Sequence, residues 1–336
     1  MTTATAKSAL HDEFAEAHSQ SKFVNHDLTI ERDVKATGRQ NNLNVVLVSM
    51  ESHGADFVGA LGDARGLSPN LDQLAKEGLL FTQLYATGLR TVRGLEALTL
   101  SLPPTPGHAL LMRSKNKGMA TLGRVFKNAG YDALYLYGGY SYFDNMRDFF
   151  SGNGYTVIDR TALSKNEITH ENVWGVADED MFRRAMAELD TRTAKGKKVF
   201  AHIMTTSNHR PFTYPGKRID IVSGTSREGA AKYADWAIGA LISEAKSHAW
   251  FNDTIFVFVA DHTSHGRGRI DLPPENYHIP MIIYSPKWIK PATIDYVSSQ
   301  IDVGPTILSL LNFSYRSSFF GQDILSEGRF HQRAFM

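Results

Sequence analysis

The sequence contains no cysteine among its 336 residues. This excludes thiolate nucleophiles, cysteine-ligated zinc sites and disulfides. Long apolar runs are absent as well, since stretches such as residues 255–260 fall far short of the roughly 20 residues that a spanning helix needs. Residues 1–20 are polar and lack the apolar core of a secretory signal. We therefore expect either a cytoplasmic protein or the soluble part of a longer, anchored one.

An excess of charge of either sign is also missing, because 36 Lys and Arg residues face 35 Asp and Glu residues, for a formal net charge of +1. The overall field therefore favours neither nucleic acid nor an anionic membrane. Hydrophobic residues make up 42% of the chain and charged residues 21%, as in ordinary globular proteins. We predict no nucleic-acid partner, and membrane contact only through an anchor outside this sequence or through a lipid substrate.

Apolar, β-branched runs alternate with helical patterns along most of the chain. Residues 45–48 are typical of a buried parallel strand. Further strand candidates are residues 79–84, 133–137, 199–204, 255–259 and 281–284. Helical patterns cover residues 68–78, 121–130, 178–189 and 230–245. The alternation predicts an α/β fold with a mostly parallel, mixed sheet between helices. We expect a polar extension over residues 1–40, one domain over 41–336, and a small C-terminal sheet portion at the edge from about residue 277, with strands over 279–284 and 296–301.

Carboxylates and an imidazole follow two of the predicted strands. Glu51 comes shortly after the first apolar run, and the pair Asp261 and His262 comes shortly after the run at 255–259. Because strand ends of a crossover fold meet at one edge of the sheet, we expect these side chains to converge. Oxygen ligands with one imidazole suit a divalent cation such as Mn²⁺, Mg²⁺ or Zn²⁺. Taken singly, the Asp-His pair could instead cap a following helix, and Glu51 could be a solvated loop residue.

Thr91 lies in Thr-Gly-Leu-Arg-Thr-Val-Arg-Gly (87–94), a turn followed by a helical pattern. At a helix N-terminus its hydroxyl would lie beside free backbone N–H groups, where a phosphate can be held. Next to a metal ion such a hydroxyl loses its proton more readily and becomes a nucleophile. The alternative is that Thr91 only caps the helix. Arg90 and Arg93 beside it favour an anionic ligand.

Five short segments follow one another along the chain. They are Val-Ser-Met-Glu-Ser (48–52), Ser-Pro-Asn-Leu-Asp-Gln-Leu-Ala (68–75), Gly-Leu-Arg-Thr (88–91), Ser-Asn-His-Arg-Pro-Phe (207–212) and Ala-Asp-His (260–262). Their order resembles the alkaline phosphatase superfamily. From about residue 41 to residue 325, the chain is similar to the sulfatase-type domain of lipoteichoic acid synthases and phosphoglycerol transferases. The resemblance implies that this domain is catalytic.

The resemblance also implies roles for particular residues. One divalent cation, most simply Mn²⁺ with Mg²⁺ or Zn²⁺ as alternatives, would be bound by the set Glu51, Thr91, Asp261 and His262. Thr91 would carry the transferred phosphoryl group, and His209 would bind the phosphate or protonate the leaving oxygen.

The segment around Asn145 departs from the pattern of lipoteichoic acid synthases. Those enzymes have Trp-Asn-Arg where this chain has Asp144, Asn145 and Met146. The Phe-Asp-Asn-Met version resembles the Gram-negative branch, which includes glucan-modifying phosphoglycerol transferases. We expect Asn145 to hydrogen-bond a glycerol hydroxyl or phosphate oxygen, and Arg93 to offset charge on the phosphoryl oxygens. The expected substrate is a phosphodiester with a glycerol-phosphate head group on a glycolipid or glucan, in an extracytoplasmic setting.

Two other functions stay open. A true sulfatase needs a formylglycine made from Cys or Ser in a Cys/Ser-x-Pro/Ala-x-Arg setting, and the segment around Thr91 does not provide it. A metal-free binding protein that kept this fold is the second alternative. His265 and His278 also stay open as ligands of a second metal ion, against the alternative of hydrogen-bonded, partly buried imidazoles.

Overall fold

Buried apolar runs form the strands of a central sheet. The protein is described by a computed structural model that covers residues 5, 22–23, 30–265, 272–326 and 331–336. The strands are β1 (Lys22–Phe23), β2 (Arg32–Val34), β3 (Asn44–Met50), β4 (Leu79–Tyr85), β5 (Asp132–Tyr137), β6 (Thr156–Asp159), β7 (Val199–Met204), β8 (Thr254–Ala260), β9 (His278–Tyr284), β10 (Ala292–Ile294), β11 (Ser298–Ser299) and β12 (Tyr315–Ser317). The α-helices within these ranges are α1 (Pro69–Glu77), α2 (Thr91–Leu100), α3 (Leu122–Asn128), α4 (Met146–Gly152), α5 (Asp178–Thr193), α6 (Arg227–Ala245) and α7 (Val303–Leu310).

Nine of these strands form one sheet in the order β10-β4-β9-β8-β3-β7-β5-β6, with β11 also paired to β4. β3 lies between β8 and β7, and all three run parallel. β9 is antiparallel to its two neighbours, β8 and β4, so the sheet is mixed. This confirms the predicted α/β class with a mostly parallel sheet.

The residues of β3 alternate between two hydrophobic cores. Val45 and Leu47 pack in the core formed with α2, α3, α4 and α7, whereas Val46 and Val48 pack in the core formed with α1, α5 and α6. All seven residues of β3 are buried, as expected of a parallel strand covered on both faces. The end of β3 is therefore held between two packed layers, where side-chain positions are tightly constrained.

The C-terminal strands differ in one respect from the expectation. β10 and β11 form the small C-terminal portion at the β4 edge. Residues 279–284 were expected beside them, but they belong to β9 and lie inside the sheet, where all of them are buried. A continuous apolar run indicates burial on both faces and does not reveal the direction of its strand. Residues 296–301 form only the two-residue β11, followed by a 3₁₀ turn at Gln300–Asp302.

A second sheet, β1-β2-β12, joins residues before 41 to the C-terminal part of the chain. Arg32 of β2 is 1% exposed and donates to the carbonyl oxygens of Ile30 and Phe319, at 3.1 and 2.7 Å. The domain boundary at residue 41 stays a prediction. In the ranges given above, no helix is long and apolar enough to cross a bilayer.

Candidate active site

Two parallel strands deliver two carboxylates to the same point. Glu51 directly follows β3 and Asp261 directly follows β8, and the two strands pair Met50 with Ala260. The N–H of Asp261 donates to the Met50 carbonyl oxygen at 3.1 Å, and the N–H of Ser52 donates to Asp261 Oδ1 at 2.8 Å. Glu51 is 6% exposed and Asp261 is fully buried. The strand register therefore fixes both carboxylates beside each other.

His262 and Thr91 complete the group. His262 Nε2 lies 3.8 Å from Glu51 Oε1 and 3.5 Å from Asp261 Oδ2. Its Nδ1 lies 2.7 Å from the Thr263 carbonyl oxygen, so Nδ1 carries the proton in the neutral ring and Nε2 is left as a possible ligand. The Thr91 hydroxyl donates to Glu51 Oε2 at 3.2 Å and lies 3.5 Å from His262 Nε2. The structure thus brings together all four side chains of the predicted metal site.

The helix-capping alternatives do not describe these residues. Arg90 occupies the N-cap of α2, and Thr91 follows as the first helical residue with its hydroxyl directed at a carboxylate. Residues 261–265 are not helical, so the Asp-His pair caps no helix there. α2 approaches the end of β8 closely at Gly94, where a Cβ would lie 2.2 Å from the Asp261 carbonyl oxygen. The missing side chain at Gly94 therefore sets the distance between Thr91 and the carboxylates.

The electrostatics of the group fit a cation. In the described part of the chain, ligand atoms of Glu51, Asp261 and His262 all lie within 4.8 Å of one another. Burial raises the pKa of Asp261, and the charge of Glu51 adds to this rise against the attraction of His262. Burial lowers the pKa of His262, but the negative charges of Asp261 and Glu51 raise it by more than burial lowers it. The net shift of this pKa is therefore upward. Asp261 Oδ2 is buried and has no hydrogen-bond partner in these ranges. A divalent cation would offset both carboxylates, and this donor set suits Mn²⁺, Mg²⁺ or Zn²⁺.

The group opens into a cavity of about 490 Å³, a volume suited to a small-molecule ligand. The lining includes three aromatic rings, three arginines and one further carboxylate, namely Tyr137, Phe143, Trp174, Arg90, Arg210, Arg227 and Asp144. His209 also lines the cavity, with its ring centroid 3.7 Å from that of Trp174. Its Nδ1 lies 3.2 Å from the Arg210 carbonyl oxygen, which leaves Nε2 available to a ligand.

Two residues that we predicted to bind substrate do not line this cavity. Arg93 donates to Glu96 Oε2 at 2.7 Å and to the Thr105 carbonyl oxygen at 2.9 Å. It therefore holds the loop after α2 instead of facing the Thr91 hydroxyl. The Asn145 amide donates to the Leu111 carbonyl oxygen at 2.8 Å and ties a different part of the same loop. Hydrogen bonds within the protein thus occupy both side chains, and a substrate-binding role for Arg93 and Asn145 stays a prediction.

Several cavity residues were not assigned to the site from the sequence, among them Arg227, Arg210, Trp174 and Asp144. Arg227 is the first residue of α6, three residues before the helix start that we predicted. Arg210 directly follows His209, and Trp174 lies in an irregular segment without a motif. Asp144 adopts a left-handed backbone conformation with φ of 49°. Burial raises the pKa of its carboxyl against the attraction of a nearby arginine. The sequence signal for these residues was the position of Arg210 inside the Ser-Asn-His-Arg-Pro-Phe segment (207–212).

The two candidate histidines for a second metal have other partners. His265 Nε2 lies 2.9 Å from Asp56 Oδ2 at the edge of the cavity. His278 Nε2 donates to the Thr82 carbonyl oxygen at 2.7 Å, and its ring stacks on Tyr85 outside the cavity. Within the residues that the structure covers, neither histidine belongs to another group of three or more close ligands.

Residues 43–313 match the family described as Sulfatase. The chain belongs to the sulfatase family. Among solved structures, this sulfatase-family chain is similar to a protein in the alkaline phosphatase superfamily from Vibrio parahaemolyticus, with a TM-score of 0.88, 34% identity, and coverage of 96% of this chain and 78% of that one. It also shares its fold with the lipoteichoic acid synthase LtaP from Listeria monocytogenes, with a TM-score of 0.77, 20% identity, and coverage of 95% and 81%.

Curated relatives point to the same group. Phosphoglycerol transferase I from Xanthomonas euvesicatoria is 25% identical over 282 residues, which cover 78% of this chain and 40% of the relative. Lipoteichoic acid synthase 2 from Bacillus subtilis is 22% identical over 317 residues, which cover 86% and 48%. The chain thus spans less than half the length of these two relatives. The predicted resemblance is confirmed, and the chain is an enzyme of the alkaline phosphatase superfamily with phosphotransferases among its relatives.

Proposed function

We propose that this chain transfers a phosphoryl group from a phosphodiester to an alcohol or to water, with Thr91 as the nucleophile. The observation that carries the proposal is the convergence of the Thr91 hydroxyl with Glu51, Asp261 and His262 at the wall of a cavity. A threonine hydroxyl beside a carboxylate and an imidazole is the arrangement that nucleophilic catalysis requires. The head group that we propose is glycerol phosphate, because the relatives include phosphoglycerol transferases.

Glu51, Thr91, Asp261 and His262 would hold one divalent cation, for which we propose Mn²⁺. When bound, the cation would offset negative charge on the phosphoryl oxygens and favour the deprotonated form of a nearby hydroxyl. The chain supplies the remaining chemistry itself. The N–H groups of Arg93 and Gly94 donate to the Arg90 carbonyl oxygen. The N–H groups of Thr91 and Val92 lie in the first turn of α2, where N–H groups have no acceptor within the helix. They can therefore donate to phosphoryl oxygens.

The proposed reaction has two steps. In the first, Thr91 Oγ1, which has lost its hydroxyl proton to solvent, forms a bond to phosphorus while the bond from phosphorus to the leaving alcohol breaks, and protonated His209 donates a proton from Nε2 to that alcohol. In the second, another alcohol or water attacks the phosphorus atom of the threonine adduct and gives its proton to His209, and Thr91 is released as the alkoxide. Imidazole suits both roles near neutral pH. The ring of Trp174 orients His209, since the two ring centroids are 3.7 Å apart.

Mass spectrometry of Thr91 tests the proposal. Protein supplied in turn with Mn²⁺, Mg²⁺ or Zn²⁺ is incubated with glycerophosphoryl, ethanolamine-phosphoryl and sulfate esters. We expect an adduct of glycerol phosphate mass on Thr91 and turnover of the glycerophosphoryl ester. Thr91→Ala should abolish both while keeping the fold, and Thr91→Ser should retain part of the activity because it keeps a hydroxyl.

Turnover of Thr91→Ala near the wild-type rate would refute Thr91 as the nucleophile. Preferred cleavage of the sulfate ester would instead support a sulfuric ester hydrolase. A folded protein that binds no divalent ion and turns over none of the esters would support a binding module of this fold.

We also propose an extracytoplasmic setting and a glycolipid or glucan substrate, in line with the relatives. Fractionation of cells that express the native gene tests the setting. Detection of the protein in the cytoplasmic fraction alone would contradict it.

A further inference from the structure

A second concave site lies beside the catalytic cavity. It is a groove of about 560 Å³ lined by residues that follow β5 and β6, and we call it the side groove. β5 and β6 run parallel to β7 and β3, so the groove lies at the same edge of the sheet as the candidate metal site. This is the edge at which α/β sheets bind ligands. The proposed reaction uses none of the residues of the side groove.

Two chain segments connect the side groove to the catalytic cavity. Tyr140 lines the groove, and Phe143 of the same segment lines the cavity. Glu171 lines the groove, and Trp174 of the second segment lines the cavity. The rings of Phe143 and Trp174 meet edge to face, with centroids 5.6 Å apart. A Cβ at Gly139 would lie 2.4 Å from the Trp174 carbonyl oxygen, so the two segments lie directly on each other. The groove and the cavity therefore share their walls, and one extended ligand can occupy both.

Two tyrosine rings stand in solvent beside the side groove. Tyr142 is 76% exposed and Tyr140 is 40% exposed, and their rings stack with centroids 5.7 Å apart. The turn that carries them is firmly held, because the Ser141 N–H and Arg147 Nη2 donate to Asp159 Oδ2, at 3.0 and 2.7 Å. Exposed apolar surface next to a cleft marks an interaction site. Rings that are already fixed lose little entropy when a ligand binds.

Sugar rings have apolar C–H faces and a rim of hydroxyl groups. Such faces pack on aromatic side chains, while the hydroxyls bond to polar groups nearby. The two stacked tyrosines supply the aromatic surface, and two threonines of the side groove supply hydroxyl groups. Thr161 Oγ1 donates to Asp159 Oδ1 at 2.6 Å. Thr169 Oγ1 donates to Asp180 Oδ1 at 2.9 Å. Both threonine oxygens can therefore accept hydrogen bonds from the hydroxyls of a ligand.

The charges of the side groove favour an uncharged ligand. Arg160 forms an ion pair with Glu171, and its Cζ atom lies 4.9 Å from the centroid of the Tyr140 ring. Burial lowers the pKa of His170, which keeps this imidazole neutral near pH 7. Lys165 then supplies the single net charge of the lining. Anionic membranes recruit clusters of about 4–8 basic residues, so this groove is suited to hydroxyl groups and not to a charged surface.

We propose that Tyr140, Tyr142 and the side groove bind a neutral oligosaccharide that extends into the catalytic cavity. The inference rests on the proposed function for the chemistry at Thr91, which it leaves unchanged, and it names the part of the substrate that lies outside the cavity. Phe143 and Trp174 would contact the sugar nearest to the reacting phosphoryl group. The oligosaccharide is either part of the donor or the carrier of the accepting hydroxyl.

Equilibrium binding tests this surface without requiring turnover. Isothermal titration calorimetry is carried out with glucose and with three glucose tetrasaccharides, which are linked α-1,4, β-1,3 or β-1,4. We expect at least one tetrasaccharide to bind about tenfold or more tightly than glucose, because it contacts several sugar positions at once. The affinity should not depend on salt concentration, since the ligand is uncharged.

Tyr140→Ala/Tyr142→Ala should weaken binding of that tetrasaccharide about tenfold, since it removes both rings. Tyr140→Phe/Tyr142→Phe should retain most of the affinity, because it keeps them. Tyr296→Ala is the matched control, since Tyr296 is 39% exposed but lines neither the groove nor the cavity.

Three results of the binding experiments overturn the proposal. One is that no tetrasaccharide binds more tightly than glucose. Another is an equal loss of affinity in Tyr296→Ala and in the double alanine variant. The third comes from sedimentation with vesicles of phosphatidylglycerol and phosphatidylethanolamine. Vesicle binding that the double alanine variant loses assigns the two rings to a membrane surface instead.

Two turnover assays identify the source of the oligosaccharide. In one, a glycerophosphoryl tetrasaccharide is cleaved with water as the acceptor. In the other, a small glycerophosphoryl ester is the donor and the tetrasaccharide is the acceptor. A KM for the sugar substrate that rises about tenfold in the double alanine variant, with kcat unchanged, assigns the oligosaccharide to the donor or to the acceptor, respectively. An unchanged KM in both assays overturns the proposal. If no ester is turned over, the proposed function fails, and calorimetry still decides whether the surface binds sugars.

Discussion

Replacement of Gly94 by alanine tests how the position of α2 controls the candidate metal site. An added Cβ would lie 2.2 Å from the Asp261 carbonyl oxygen and 2.7 and 2.8 Å from its carbonyl carbon and Cα. Ordinary contacts begin at 3.4 Å. All three atoms belong to the backbone, so no side chain can rotate away. The separation between α2 and the end of β8 must therefore grow by about 1 Å, as with other overpacked sites.

The structural change has opposing effects on stability. Alanine in a helix gains about 1 kcal/mol over glycine, whereas overpacking costs about 1–3 kcal/mol. We expect a net loss of up to about 2 kcal/mol. The effect on function should be larger, because a shift of about 1 Å in the position of a reacting group can cost about 100-fold in rate. Metal affinity should fall at least about tenfold, since ligand distances tolerate only about 0.2 Å.

Gly304→Ala is the matched control. Gly304 is also a buried glycine in a helix, α7, but its added Cβ would lie 3.7 and 3.8 Å from the Leu122 methyl groups, which is ordinary contact. Urea denaturation, calorimetric metal titration and turnover are measured for both variants. We expect the control to keep wild-type metal affinity. Equal metal affinity and equal turnover of the two variants would refute the view that the close approach at Gly94 sets the geometry of the site.

Three further predictions concern other parts of the molecule. Glu96→Ala should lower the free energy of unfolding in urea by about 2–3 kcal/mol, because it leaves the Leu110 N–H and Arg93 Nη1 without their acceptor. A loss below about 0.5 kcal/mol would contradict this. His209→Gln should lower the turnover number about 100-fold while metal affinity measured by calorimetry stays unchanged, and unchanged turnover would remove His209 from the mechanism. Burial raises the pKa of Asp235 from 3.8 to about 6, so its contribution to stability is fully present below about pH 4 and is lost as pH rises through 6. The destabilisation caused by Asp235→Asn should therefore shrink by about 2 kcal/mol between pH 4 and pH 7 in urea titrations, and a pH-independent effect would contradict the shift.

The sequence predicted the strand-end residues well because their positions follow from general geometry. Glu51 and Asp261 come at the ends of buried runs, and adjacent parallel strands place such residues side by side. The order of the motifs also identified the superfamily, and members of that superfamily share the α/β fold. The assignment of the metal ligands remains a proposal, which metal titration of the variants must test.

The side chains on turns were harder to predict, because their directions depend on backbone angles that no residue pattern encodes. Arg90 lies before α2 in an extended conformation with φ of −145° and ψ of 145°, and it lines the cavity. Arg93 lies three residues later within the helix and pairs with Glu96 instead. Asn145 has a left-handed backbone with φ of 59°, which directs its amide away from the cavity. Arg210 and Arg227 are distant in sequence from Thr91, so only the tertiary fold reveals that all three residues line one cavity.

The residues of the candidate metal site come from chain positions that are far apart, and this separation links the ion to folding. Thr91 lies 40 residues from Glu51 and 171 residues from His262, and Ser52 contacts Asp261 across 209 residues. An unfolded chain cannot hold these groups together, so a cation that binds them binds the native state alone. Each increment of binding free energy then adds to the stability of the whole domain. At a free ion concentration 100 times its Kd, the gain is about 2.7 kcal/mol. In a domain of ordinary marginal stability, the supply of metal would therefore govern how much of the protein survives proteolysis as well as how fast it works.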